Sequence, residues 1–444
     1  MSKQTTFNFI GHSWSPEIGE ASFSYKIEHN GETFNLTEKL FFPLENQSKN
    51  IPLALLTNTL DALSLAIGIS YYKLFCPREI KLANMTLTHK QADFWNIVYT
   101  KGLGEFYYKN RIDFRDKVHF PFAEKDSALP ISFPRRDRSL VGIGGGKDSV
   151  VSAEMLKRVG KPFANYILNP HPLQLEVSKV IGGDILPVKR ELDPQIFALN
   201  KREDTYNGHI PVSSIYALVG VFLAIVYDYR FVVVSNEHSS NYGNVMYLAM
   251  EINHQWSKSL EFESMLQEYI YKFITPDVTY FSLLRQKSEL GIVKKFVKNP
   301  EYFAHFSSCN RNFKLNSQGA MVKWCGECAK CAFAFVMLAA FLSAEQVADI
   351  FGKNLLDDET LLKTYKELLG LEAIKPFDCV GTPEEVRTAF YLIRERGSFK
   401  NSPVMRWFEE QIMPRFPDSK TLRSRLLNPS EEHHIPTVFQ EALQ

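Results

Sequence analysis

Between Ser139 and Ser149 the chain reads Ser-Leu-Val-Gly-Ile-Gly-Gly-Gly-Lys-Asp-Ser. An apolar run, Leu140, Val141 and Ile143, stops at three consecutive glycines, Gly144, Gly145 and Gly146. Lys147, Asp148 and Ser149 follow, and a helix-prone stretch runs from Val150 to Val159. This order predicts a strand, a bare-backbone turn and a helix N-terminus. Main-chain N–H groups in such a turn aim at one point, and the helix dipole makes that point attractive to anions. Glycines admit positive φ and let a bulky phosphate approach the backbone. Lys147 adds a point charge and Ser149 a hydroxyl. The Asp148 carboxylate makes sense beside an anion if it holds a Mg2+ that bridges phosphates. A glycine-rich turn with no ligand is the plain alternative.

The spacing is not that of the ordinary P-loop, Gly-x-x-x-x-Gly-Lys-Ser/Thr, nor of the dinucleotide fingerprint. It resembles the Ser-Gly-Gly-x-Asp-Ser loop of the ATP pyrophosphatases, the PP-loop superfamily that splits ATP into AMP and pyrophosphate. Gly144 stands where that superfamily usually has Ser, which removes one hydroxyl contact to pyrophosphate.

A second constellation is Cys309 with Cys325-Gly-Glu-Cys328-Ala-Lys-Cys331. Four thiolates in a short stretch suit a closed tetrahedral Zn2+ site, and Gly326 eases the turn. An iron–sulfur cluster takes the same ligands, and small residues packing ahead of an apolar helix need no metal. Cys76 and Cys379 stand alone and read as structural. The cluster resembles, in outline only, the zinc cysteines of deazaguanine-synthesising PP-loop enzymes; its first gap is longer.

The third is polar. Ser235-Asn236-Glu237-His238-Ser239-Ser240-Asn241 follows an apolar run, and Asn253-His254-Gln255-Trp256-Ser257-Lys258-Ser259-Leu260-Glu261-Phe262-Glu263 comes soon after. Loops after strands commonly hold substrate. Ser257 with Glu261, or Ser259 with Glu263, also reads as helix-start chemistry. His254 and Lys258 share a face if a helix starts early, and a cationic pair there grips a carboxylate or diphosphate. His238 or His254 is a candidate proton-transfer base, the alternative being a structural histidine.

These groups need elements to place them. Short apolar strands are predicted at Leu140–Ile143, Phe163–Leu168, Asp184–Val188 and Phe231–Val234. Helices are predicted at Val150–Val159, Val212–Tyr227 and Lys258–Phe273. The alternation predicts an α/β domain with a parallel, doubly wound sheet, whose ligands sit at the carboxyl ends of strands. Ahead of it, alternating Phe23, Tyr25 and Ile27 precede Asn30-Gly31, a hairpin signal. An apolar helix is expected over Ala54–Leu74, a strand over Ile80–Leu87, and a helix capped by Thr88. Three prolines between Phe120 and Arg138 mark a linker. The expected division is an N-terminal α+β domain over 1–135, a PP-loop-type domain with the four-Cys site over 136–335, and a helical region over 336–444.

The 51 basic and 50 acidic residues give a net charge of +1, so no global field points to nucleic acid. The apolar runs Tyr216–Tyr227 and Cys331–Leu342 are too short to span a bilayer. No secretory leader is visible in the opening residues. A cytoplasmic protein with reduced cysteines and no membrane or nucleic-acid partner is expected.

The motifs occur in a fixed order: Gly-Gly-Gly-Lys-Asp-Ser, Ser-Asn-Glu-His-Ser, Asn-His-Gln-Trp-Ser-Lys-Ser, Cys-Gly-Glu-Cys-Ala-Lys-Cys and Pro376-Phe-Asp-Cys-Val-Gly-Thr-Pro-Glu-Glu385. Together they resemble the ATP-dependent UDP-N-acetylmuramoyl-L-alanyl-L-glutamate epimerases, the MurL family. The resemblance implies an isomerase that uses ATP and Mg2+ to activate the terminal glutamate of UDP-MurNAc-L-Ala-L-Glu and inverts it for peptidoglycan synthesis. It implies pyrophosphate on the N–H groups of Gly144, Gly145 and Gly146, with Lys147 and Ser149 on phosphates and Asp148 on Mg2+. Glu237 becomes a second metal or ribose ligand. His238, His254 and Lys258 become anchors or proton-transfer groups. Two alternatives remain open, a PP-loop enzyme acting on a nucleobase or tRNA and a non-catalytic nucleotide-binding protein.

Overall fold

The computed structural model describes residues 5–123, 129–312, 322–372, 374–418 and 420–444. Residues 124–128, inside the stretch expected to be a linker, and the first four residues of the chain lie outside the described residues.

The architecture is α/β, with one large, mixed, mostly parallel sheet. Three antiparallel strands open the chain: β1 (Thr6–Ser15), β2 (Glu20–His29) and β3 (Glu32–Phe41). Asn30 (φ 54°) and Gly31 (φ 89°) both turn left-handed, the backbone that a two-residue hairpin needs. The buried residues of β2 are Ala21, Phe23, Tyr25 and Ile27, so one face packs and the other stays partly open. Next come the helix Leu53–Tyr72 and β4 (Glu79–Leu82). β4 is shorter than the expected Ile80–Leu87 strand. It pairs with β1 only from Thr6 to Phe9, because a register shift between Phe9 and Gly11 bends β1 away. Thr88 caps the helix His89–Lys101 through a reciprocal capping box with Gln91.

Five parallel strands then follow: β5 (Ser139–Gly142), β6 (Phe163–Leu168), β7 (Ile185–Glu191), β8 (Phe231–Val234) and, after a small hairpin of β9 (Val245–Tyr247) and β10 (Met250–Ile252), β11 (Thr279–Ser282). Their spatial order is β11-β8-β5-β6-β7, and it continues through β3, β2, β1 and β4. The direction of winding reverses beside β5. The sheet is continuous because Lys39–Phe41 of β3 pairs antiparallel with Lys189–Glu191 of β7. A buried pair between Arg190 and Glu38 (2.5 Å) stitches the same seam.

Alternating side chains of the central strands feed two cores. Leu140 and Val232 join the core built on helices Leu53–Tyr72 and Val212–Val226. Val141 and Val233 join the core built on helices Lys147–Arg158 and Ala329–Ala339. Burial on both faces is why these strands are apolar throughout instead of alternating. The helix Leu53–Tyr72 is long and apolar enough to cross a membrane, but 67% of its apolar window is buried inside the fold, the behaviour of a core helix. No strand follows Ser282 among the described residues.

Two helix starts differ from expectation. The first begins at Lys147, not Val150, because the glycine turn ends at Gly146, which is already the N-cap. The other begins at Leu260, not Lys258. The Ser259 hydroxyl accepts from Phe262 N and fixes the start there.

Candidate active site

β5 and β8 run side by side in parallel register, so their carboxyl ends bring two loops to one edge of the sheet. The first is the glycine turn. Gly145 has φ +82°, and a Cβ there would sit 3.2 Å from Gln174 Cγ. Gly144 is exposed, and a Cβ there meets nothing within 4 Å. Position 144 therefore has room for a serine side chain. The Ser149 hydroxyl donates to Gly146 O at 3.1 Å, which closes the turn and leaves the oxygen's lone pairs as acceptors.

Lys147 and Asp148 are brought together as expected. Lys147 Nζ lies 2.5 Å from Asp148 Oδ1 and is ion-paired with Glu289 Oε2 as well. Burial works against this ammonium, but the two carboxylates outweigh it and hold its pKa above the ordinary lysine value. Burial pushes the Glu289 carboxyl up, Asp148 and Glu237 push it further, and Lys147 opposes them. The Glu289 backbone N–H donates to Glu385 Oε1 (2.7 Å), which also accepts from the Ser239 hydroxyl. Asp148 and Glu289 thus crowd one lysine, and Glu237 is near enough to act on Glu289. Such a surplus of carboxylates suits a divalent cation held beside phosphates.

The second loop, after β8, carries Glu237 and His238. It is anchored by Arg285, which is fully buried. Arg285 donates to Glu263 Oε2 from Nε (2.9 Å) and Nη2 (2.7 Å), to the Glu237 carbonyl (2.9 Å), to Ser240 Oγ (3.0 Å) and to the Lys258 carbonyl (2.7 Å). Glu263 therefore pairs with this arginine instead of capping a helix, while Glu261 accepts from Trp256 Nε1 and Lys101. His238 Nδ1 is buried and has no hydrogen-bond partner among the described residues.

His254 and Lys258 do not share a helix face. They precede the helix, Lys258 in a single 3-10 turn, Trp256–Lys258. They meet at a third residue instead. Lys258 Nζ lies 3.3 Å from Cys379 Sγ, and His254 is near enough to act on the same thiol. This corrects the reading of Cys379 as an isolated structural thiol. Burial works against a thiolate there, but Lys258 and His254 overcome it and bring the thiol down to about 5. The sulfur's charge is the main influence raising Lys258. Burial would lower His254, yet Cys379 and Glu105 raise it to about 9. His254 Nδ1 lies 2.5 Å from Glu105 Oε2, and Lys109 Nζ lies 2.5 Å from the other oxygen of the same carboxylate. His209 stands 3.6 Å from Glu105 and is driven down to about 3, chiefly by burial and then by the His254 charge. Glu105, His209 and His254 lie within reach of one another, but two cations already occupy the carboxylate, which makes this an ion-pair cluster and not a ligand set. Cys379, His254 and Lys258 are each partly buried, outside the two apolar cores. Cys76, by contrast, is buried and pushed up to about 11.

The four other cysteines converge. Their sulfurs all fall within 4.8 Å of one another, with Cys325–Cys331 at 3.7 Å and Cys328–Cys331 at 3.5 Å. A tetrahedral ion with Zn–S bonds of about 2.3 Å sets its sulfurs about 3.8 Å apart. A cluster of several irons would hold them farther apart. Gly326 is left-handed at φ +69°. The cysteine unit also touches both halves of the site. Ser307 N donates to Gly145 O, Lys330 Nζ donates to Cys379 O, and Asn310 Nδ2 donates to Asp378 Oδ1. A surface cavity of about 440 Å³ lined by Ser48, Arg135, Arg136 and Asp228 lies at the opposite, amino ends of the strands.

Residues 1–283 match the MurL N-terminal domain and residues 305–422 match the MurL C-terminal domain. The chain belongs to the MurL family. A curated relative from Xanthomonas oryzae pv. oryzae is 35% identical over 99% of this chain and 97% of its own length. Relatives from a Micromonospora species and from Salinispora tropica are 36% and 33% identical over 99% of this chain and 98% and 96% of theirs. All three bear the name UDP-N-acetyl-alpha-D-muramoyl-L-alanyl-L-glutamate epimerase. Within the MurL frame the site is composite. The glycine loop, His254 and Lys258 fall in the N-terminal module, Cys379, Glu385 and the four cysteines fall in the C-terminal one, and Arg285 and Glu289 lie between.

Sequence reasoning missed Glu105, Arg285 and Glu289, and gave Lys330, Cys379 and Glu385 no role at this site. The carboxylate of Asp378 directly beside Cys379 was the one usable signal. A buried structural cysteine usually sits among apolar residues.

Proposed function

We propose that this chain inverts the terminal L-glutamate of UDP-MurNAc-L-Ala-L-Glu to D-glutamate at the expense of ATP, releasing AMP and pyrophosphate, in peptidoglycan synthesis. The names of its full-length relatives support the isomerisation. The observation that carries the ATP part is the left-handed Gly145 turn feeding a helix N-terminus beside Asp148, Glu237 and Glu289. The strand order β7-β6-β5-β8-β11, with its reversal at β5, supports a doubly wound PP-loop pyrophosphatase domain.

A free carboxylate resists loss of its α-proton, since the carbanion would put negative charge beside negative charge. Adenylation removes that charge and lets the carbanion spread onto the acyl oxygen as an enolate. In this reading the N–H groups of Gly144, Gly145 and Gly146 take the departing pyrophosphate, and Lys147 exchanges Glu289 for a phosphate oxygen. Asp148, with Glu237 or Glu289, would hold Mg2+, which supplies positive charge between phosphates. Cys309, Cys325, Cys328 and Cys331 would hold Zn2+, whose contribution is rigidity. Both substrates are soluble nucleotides, which supports a cytoplasmic reaction.

The test is to incubate purified protein with ATP, Mg2+ and UDP-MurNAc-L-Ala-L-Glu and to resolve the glutamate enantiomers after acid hydrolysis. D-glutamate together with AMP is the expected result. ATP cleavage with no D-glutamate would discard the epimerase reading and leave a pyrophosphatase of other specificity. An Asp148→Asn variant should release pyrophosphate far more slowly.

A further inference from the structure

We propose that Cys379 is the base that removes the glutamate α-proton, its thiolate held in place by Lys258 and His254. This rests on the epimerase reading. Three observations carry it. Cys379 sits 3.3 Å from the Lys258 ammonium, and the His254 imidazole, held by Glu105 through Nδ1, also favours its thiolate. That is the surrounding that turns a thiol into a nucleophile or base, and a structural cysteine has no use for it. The residue is not sealed in either core and is only partly buried. Finally, the segment that carries it is clamped from outside, by Lys330 on the Cys379 carbonyl and by Asn310 on Asp378. A clamped loop is what a proton transfer with tight distance demands requires.

The step balances as follows. The Cys379 sulfur lone pair takes the α-proton of the glutamyl adenylate and becomes a neutral thiol. The C–H electron pair becomes the C=C bond of an enolate, and the carbonyl oxygen takes the negative charge, which the ammonium of Lys258 is placed to offset. A proton from water adds to the opposite face of Cα, and the thiol later returns its proton to water. Hydrolysis of the inverted adenylate gives the product and AMP. No oxidant or further reactant is consumed.

The experiment uses the full chain, with ATP, Mg2+ and UDP-MurNAc-L-Ala-L-Glu in D2O, and reads AMP, D-glutamate and α-deuterium separately. Wild-type protein is expected to make D-glutamate bearing deuterium. A Cys379→Ser variant is expected to lose D-glutamate formation and α-exchange by about 10²- to 10⁴-fold, the range for a general base, while AMP formation falls by less than about tenfold. D-glutamate formation within about tenfold of wild type in that variant would overturn the proposal, as would equal loss of AMP and D-glutamate in a folded variant, which would assign Cys379 to activation. If the variant does not fold, iodoacetamide on wild-type protein decides. Alkylation of Cys379 that stops D-glutamate but not AMP supports the proposal, and alkylation without effect on D-glutamate overturns it. Wild-type protein that makes AMP but no D-glutamate would instead remove the epimerase reading beneath it.

Discussion

The backbone N–H of Ser307 donates to the carbonyl oxygen of Gly145 at 3.0 Å. This single bond joins the segment leading into Cys309 to the turn that would receive pyrophosphate. The same unit reaches the Cys379 segment through Lys330. The four-cysteine unit thus spans the two halves of the site, although none of its sulfurs contacts Lys147 or Cys379 among the described residues.

Metal removal should therefore weaken both halves together. Purified protein is expected to carry about one zinc per chain. Stripping it with a chelator is expected to raise the KM for ATP and to slow D-glutamate formation, and zinc alone should restore both. Metal analysis with steady-state kinetics checks this. Full activity in zinc-free, folded protein would leave the cysteines as packing residues.

The glycine turn should respond very differently at adjacent positions. Gly145→Ala places a Cβ on a backbone at φ +82° and 3.2 Å from Gln174 Cγ, a strain of about 1–2 kcal/mol. It is expected to lower stability by that order and to impair AMP formation. Gly144→Ser meets open space and should stay within about 0.5 kcal/mol of the parent. If the turn receives the phosphates of ATP as proposed, the added hydroxyl should leave ATP binding as tight or tighter. Urea unfolding and ATP titration separate the two outcomes.

The pH profile follows from two shifted groups. The Cys379 thiol is lowered to about 5, so the thiolate is present above that value and is lost as pH falls through it. His254 is raised to about 9, so the imidazolium that supports the thiolate is present below that value and is lost as pH rises through it. D-glutamate formation should be bell-shaped between these limits, with Lys258, Lys330, Asp378 and Glu105 setting the local field. Glu105→Gln removes the carboxylate behind His254, so the alkaline limb should move to lower pH while the site remains intact. An unchanged alkaline limb in that variant would assign it to another group.

Part of this site is readable from sequence because its signals are local. Three tandem glycines after an apolar run admit few structures other than a tight strand-to-helix turn. Asn30-Gly31 between alternating runs is equally local, and so is Cys-x-x-Cys-x-x-Cys. The Cys379 cluster is not local. Its lysine lies 121 residues away, and the partner of Lys147, Glu289, is 142 residues from it. Apart from Asp378, nothing in the residues around Cys379 announces the charges that surround it once the C-terminal helices fold back on the sheet. The His254–Lys258 spacing misled in an instructive way. Four residues suggested one helix face, but Ser259 is a strong cap and starts the helix beyond both. The two cations converge through a turn, on a sulfur from the other module. The seam between β3 and β7 was hidden for the same reason. Antiparallel pairing of strands so far apart leaves no periodic trace in either one.

The buried pair between Arg285 and Glu263 offers the sharpest separation of stability from positioning. Glu263→Ala leaves a fully buried guanidinium without its counter-charge, and a loss of about 3–5 kcal/mol is expected. The double change Glu263→Leu with Arg285→Leu removes both charges, so it should recover much of that stability. It should not recover activity. Arg285 also donates to the carbonyls of Glu237 and Lys258. Those two bonds fix where the backbone of Glu237 and the residue whose ammonium lies beside Cys379 stand. Without them the loop after β8 and the turn before Leu260 lose their common anchor, and a small displacement at Lys258 is enough to release the sulfur. Unfolding measurements and D-glutamate assays on the single and double variants decide the matter. A double variant as active as the parent would mean that the pair serves stability alone and that the positions of Glu237 and Lys258 are set elsewhere.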